Sequence, residues 1–165
     1  MTTVLTLALD EESQSRFDGL RKAHYPAELN RIAAHLTLFH TLPATEDVRS
    51  VLLSSAHNTP AFAVQVSGLR SLGKGVAYTL ASGELGALQQ GLARTFHALL
   101  TPQDRQGFRP HVVVQNKVTK EASRSLLADL SEGFLPWQAG AVGLDWWDYM
   151  GGPWSFRERF AFPET

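Results

Sequence analysis

Cysteine is absent from the 165-residue chain, which removes disulfides, thiolate metal centres and cysteine nucleophiles together and fits a reducing compartment. A surplus of charge is missing too: 15 Lys and Arg stand against 16 Asp and Glu, so there is no general basic surface for gripping duplex nucleic acid. No window approaches the roughly 18 apolar residues of a membrane helix. The opening stretch 1–10 has no basic region and is broken by threonine, unlike a signal peptide. A Gly-x-Ser-x-Gly elbow, a His-Glu-x-x-His pair and a dinucleotide fingerprint are all lacking, and Gly73-Lys74-Gly75 does not have Walker spacing. What is present is ordinary for a folded protein, with 44% hydrophobic and 10% aromatic residues. The expectation is one cytoplasmic, monomeric domain spanning 1–165.

Hydrophobic periodicity orders the chain into elements. Residues 3–9 alternate as a strand, and Asp10 is placed to cap a helix carrying Phe17, Leu20 and His24 that stops at Pro26. Residues 34–40 read as a short strand, Thr45 caps a helix with Val48, Val51 and Leu52 inward, and 61–70 and 75–80 form paired strands. Leu85, Leu88, Leu92, Phe96 and Leu99 define a helix over 83–100, followed by a strand at 110–118. Thr119 opens a further helix, and strands are expected at 137–149 and 154–162. The order helix, strand, helix, strand, strand occurs twice, in the approximate halves 1–81 and 82–165. The expected fold is therefore α/β (α+β), with two pseudo-symmetric lobes from a duplicated unit around a central cleft.

Within that repeat, His35 and His111 occupy matching places nearly half the chain apart. Residues i and i+2 share a strand face, so His35 presents its imidazole beside the Thr37 hydroxyl. His-x-Thr alone is a weak signal, and His57-Asn58-Thr59 is a background match. A histidine on an apolar strand is ordinarily structural; the matched contexts turn the reading toward catalysis. Around His111 the charge is skewed, with Arg105, Arg109, Lys117, Lys120 and Arg124 against Glu121 alone over 105–124, which favours a phosphate. A metal pair from His35 and His40 is disfavoured, because the odd spacing places them on opposite strand faces. Trp146, Trp147 and Tyr149 could stack a base, although strand aromatics are usually core.

His-Leu-Thr-Leu-Phe-His (35–40), Arg-Pro-His-Val-Val-Val-Gln-Asn-Lys-Val (109–118) and Tyr-Met-Gly-Gly-Pro-Trp (149–154) together resemble the two-histidine (2H) phosphoesterases, and among them the bacterial 2'-5' RNA ligase-like proteins. The resemblance covers essentially the whole chain. It implies a two-lobed cleft and metal-independent, cofactor-free attack on a 2',3'-cyclic phosphate or 2'-5' phosphodiester of RNA or a nucleotide. His35 and His111 would serve as general acid and base in an order left open, and Thr37 would hold a non-bridging oxygen. Lys117, which shares the strand parity of His111, and Tyr149 complete the expected substrate-binding set. The implied partner is a nucleotide or RNA end rather than a duplex or a membrane.

Position 113 departs from the pattern: Val113 stands where the second motif has Thr or Ser. A hydrogen bond to a charged group is worth about 1.5–3 kcal/mol, so its loss predicts weakened catalysis, recoverable in Val113→Thr. The alternative is a catalytically degenerate nucleotide- or RNA-end-binding protein. A third reading is an interaction domain whose histidines are only structural.

Overall fold

Four polar side chains mark where the helices begin. In the computed structural model, which describes residues 1–164, Asp10 accepts from the Ser13 N–H and opens α1 (Glu11–His24). Thr45 does the same for α2 (Glu46–His57), Ser82 for α3 (Gly83–Thr95) and Thr119 for α4 (Lys120–Ser131). Each cap satisfies an amide that the first turn leaves without a partner. The helix expected over 83–100 is interrupted at Phe96, after which His97–Leu99 tightens into a 3-10 turn. No described helix is long and apolar enough to cross a membrane.

The strands are β1 (Thr2–Leu9), β2 (Thr37–Pro43), β3 (Phe62–Ser71), β4 (Val76–Ala81), β5 (His111–Gln115), β6 (Trp137–Tyr149) and β7 (Ser155–Ala161). All pair antiparallel in one sheet with the path β2-β1-β6-β3-β4-β5, and β7 also pairs β6. The fold is α+β, and its element order after β1 repeats as the sequence predicts. The lobes are not separate sheets, because the long strand β6 runs through both arms. One of its edges carries β1; the other carries β3 along 137–141 and β7 along 143–148. The Ala61 N–H donates to the Pro163 carbonyl where β3 and the end of β7 meet.

One sheet face packs against helices. Phe17 of α1 meets Tyr78 of β4 edge-on and tilts against Trp137, with ring centroids 5.8 and 5.2 Å away. Leu5, Leu36, Leu52, Val64, Val112 and Leu144 lie in the same fully buried core. Trp146 is buried as well, its indole N–H donating to the Thr3 hydroxyl at 2.7 Å. Gly75, in the turn joining β3 to β4, lies so close to the Gln115 carbonyl that a Cβ would collide with it.

The ladders carry irregularities that set side-chain direction. Along β2 the register with β1 slips between Thr37 and Phe39 and again between Phe39 and Leu42. In β3 it slips between Val66 and Gly68, leaving Ser67 as the extra residue against β4. A bulge reverses the in-out alternation beyond it.

Candidate active site

The two terminal strands of the sheet path, β2 and β5, contribute to one cleft of about 660 Å³. His35 and Thr37 line it from one side, His111 and Val113 from the other. His35 lies just ahead of the regular part of β2 rather than inside a strand over 34–40, but its neighbour Leu36 accepts from the Leu7 N–H, which keeps this segment beside β1. His111 is the first residue of β5.

Both imidazoles are held in the same manner. The His35 Nδ1–H donates to the Ala33 carbonyl at 2.8 Å, and the His111 Nδ1–H donates to the Arg109 carbonyl at 2.7 Å. A carbonyl can only accept, so the proton of each neutral ring is on Nδ1 and Nε2 is the nitrogen left for a substrate. Burial pushes the His35 imidazole down from 6.5 to about 4, against the opposing effect of its bond to the Ala33 carbonyl; charge repulsion from Arg21, and from His40 and His111 of the same cleft, lowers it further. Trp154 contributes to that enclosure, with its ring centroid 4.5 Å from that of His35.

His40 also lines the cleft, contrary to the opposite-face expectation, because the slip between Thr37 and Phe39 reverses the alternation and turns it to the side of His35 and Thr37. Its Nδ1–H donates to the Asp104 carboxylate at 3.0 Å, and the same carboxylate accepts the backbone N–H groups of His40 and Thr41 at 2.9 Å. Burial pushes Asp104 up, but these hydrogen bonds outweigh it and hold the carboxyl below its ordinary value. Among the described residues no three His, Cys, Asp or Glu side chains gather into a metal-binding cluster.

Arg70 of β3 and Arg109 complete the charged lining. Three imidazoles and two guanidiniums thus surround a space whose one carboxylate is already occupied, an arrangement suited to an anion. A groove of similar size between α2 and α3 is lined mainly by serine, threonine and aliphatic residues and holds none of the histidines.

Of the six residues expected at the site, His35, Thr37, His111 and Val113 come together; Lys117 and Tyr149 do not. Strand β5 ends at Gln115, and Lys117 sits beyond it at a left-handed φ of 61°, so it no longer shares the direction of His111. Tyr149, paired with Thr2 at the end of β6, is exposed and does not line the cleft; Trp154, five residues later, is the aromatic that reaches His35. Sequence reasoning also missed Arg70, His40 and Asp104. Gly68 is the available signal for Arg70, since glycine inside a strand marks a bulge. No local signal pairs His40 with a residue 64 positions away.

The two-histidine cleft on an antiparallel sheet defines a class, and the family model of the 2'-5' RNA ligase superfamily matches residues 9–153. This chain belongs to that superfamily. Solved structures share the fold: TT0787 of Thermus thermophilus matches with a TM-score of 0.71 at 15% identity, over 99% of both chains. A phosphoesterase matches at 0.61 and 17% identity, over 98% of both. E. coli LigT in complex with NADP+ matches at 0.60 and 18%, over 98% of this chain and 97% of that one, and LigT has also been crystallised with 3'-AMP, ATP and phosphate. No curated protein sequence matches the chain.

Proposed function

We propose that this protein is a metal-independent phosphoesterase that opens 2',3'-cyclic phosphates, or cleaves 2'-5' phosphodiesters, of nucleotides or RNA ends. The observation that carries the reading is the pair of imidazoles, each with Nδ1–H tied to its own chain and Nε2 left to one cleft. With its pKa pushed to about 4, His35 is neutral at pH 7, so we assign it as the general base. His35 Nε2 takes a proton from water as the water oxygen attacks phosphorus. The bond from phosphorus to one ribose oxygen breaks, and His111 delivers a proton from Nε2 to that oxygen. The hydroxyl of Thr37, which makes no hydrogen bond to another described residue, donates to a non-bridging oxygen as charge builds there. Ligation is the same path reversed. The nucleotide and phosphate complexes of E. coli LigT support a nucleotide substrate.

The test is turnover of a panel of 2',3'-cyclic nucleotides and 2'-5' dinucleotides in EDTA, for wild type, His35→Ala and His111→Ala. Turnover that survives EDTA and is lost in both variants is the expected result. Val113 favours one second reading, a protein that binds the nucleotide end without turning it over. It predicts histidine-dependent binding with no product.

A further inference from the structure

Val113 leaves the second half of the cleft without the hydroxyl that Thr37 provides in the first, and the strand register shows what stands nearby. Val113 pairs with Ala77 across β5 and β4, and Ala77 pairs with Arg70 across β4 and β3. Directly opposed residues on antiparallel strands share a face, so Val113, Ala77 and Arg70 form one row on the face that carries His111. Val112, Tyr78 and Leu69 form the adjacent row on the opposite face, where Tyr78 meets Phe17 of α1. Two strand spacings separate Arg70 from Val113 along the row, about 10 Å between backbones. The side chain between them is only the methyl of Ala77, which leaves a long side chain free to lie across it.

Arg70 reaches this face because of the bulge at Ser67. Counting by twos from the buried Val64 and Val66 would send residue 70 into the core; the slip before Gly68 sends it to the cleft instead. Arg70 lines the cleft with His111 and Val113, yet it makes no hydrogen bond or ion pair with any other described residue. Arg21 and Arg159, by contrast, are engaged by Asn30 and Asp145. Arg109 is exposed at the rim, and Lys117 is outside. A half-buried guanidinium that lines the histidine cleft without a partner calls for an anion.

We propose that Arg70 is the phosphate anchor of the second half of the cleft, supplying from β3 the donor that Val113 lacks. The proposal rests on the phosphoesterase reading for the identity of the anion as the reacting phosphate. A guanidinium offers two parallel donors and a full charge where a hydroxyl offers one neutral donor, so the valine need not leave the site weak. It follows that Val113→Thr adds little to wild type and much to a chain lacking Arg70.

The experiment follows the imidazole resonances of His111 during titration with inorganic phosphate. The chains compared are wild type, Arg70→Gln, Arg70→Lys, Val113→Thr and the Arg70→Gln/Val113→Thr pair, each shown by thermal melting to be folded. Arg70→Gln is expected to weaken phosphate binding about tenfold or more, Arg70→Lys to recover part of it through charge, and Val113→Thr to restore binding mainly in the Arg70→Gln background. Phosphate affinity unchanged in Arg70→Gln, or no phosphate binding by wild type, overturns the anchor. Equal effects of Val113→Thr in both backgrounds overturn the shared contact. Cyclic-nucleotide turnover is measured on the same chains. Arg70-dependent phosphate binding without histidine-dependent turnover keeps the anchor and removes the catalytic reading, whereas histidine-dependent turnover indifferent to Arg70 does the reverse.

Discussion

His35 gains its character from what covers it. An imidazole loses more hydration when charged than when neutral, so enclosure beside Trp154 favours the neutral ring. Trp154→Ala should admit water and raise the His35 pKa from about 4 toward 6.5. If His35 is the base as proposed, the acid limb of kcat/KM for a cyclic nucleotide then moves to higher pH, and an imidazole titration followed by NMR reports the same displacement without turnover. An acid limb unmoved by the substitution would show that Trp154 is not what desolvates His35. Stability carries the same signature. The unfolded chain takes the proton near 6.5 and the folded chain only near 4, so the unfolded state binds more protons in that window and stability falls as pH drops through it. Trp154→Ala should flatten this loss, as seen in urea midpoints measured between pH 7 and pH 4.

At the scale of the element, the bulges decide which residues the cleft receives. Strand parity put His35 with Thr37 and His111 with Val113, and both pairs line the cleft; no slip separates His111 from Val113. It failed for His40, just past a slip in the ladder, and Arg70, which sequence reasoning did not single out, also follows a slip. Periodicity and caps made the helices and strands legible to within a few residues. A bulge is set by how two distant strands share hydrogen bonds, which local pattern does not encode. The bulged end of β2 also leaves the His40 and Thr41 amides without a strand partner, and the Asp104 carboxylate takes both. Asp104→Ala strands these donors, an expected loss of about 1–3 kcal/mol in urea unfolding at pH 7. Since the folded carboxyl is held below its ordinary value, its contribution is complete above the unfolded pKa and disappears as pH falls through the folded one. The difference between wild type and Asp104→Ala should therefore narrow in acid; a gap constant down to pH 2 would mean the charge is not what binds the two amides.

Across the molecule, the question is how the two ends of a seven-stranded sheet path face each other. Each end is an edge strand, and each edge is held by a residue from the segment that leads into the other. Arg21, on the helix before β2, donates from Nη1 to the Val113 carbonyl of β5 at 3.1 Å and from Nε to Asn30 at 2.8 Å. Asp104, in the loop before β5, holds the amides of β2. These crossed clamps satisfy backbone groups that an edge would otherwise expose, and, by tying each edge to the segment that leads into the other, they are expected to set the span between the His35 and His111 imidazoles. Arg21 is nearly fully buried, so Arg21→Ala should lower stability by on the order of 3 kcal/mol. On the proposed mechanism, turnover of a cyclic phosphate should fall chiefly in kcat, because in-line transfer between two imidazoles would depend on their spacing more than phosphate capture does. Both clamps act on one span. Arg21→Ala and Asp104→Ala should therefore add in stability, whereas in kcat the double variant should fall little below the weaker single one. Losses that multiply in kcat would mean each clamp positions only its own histidine.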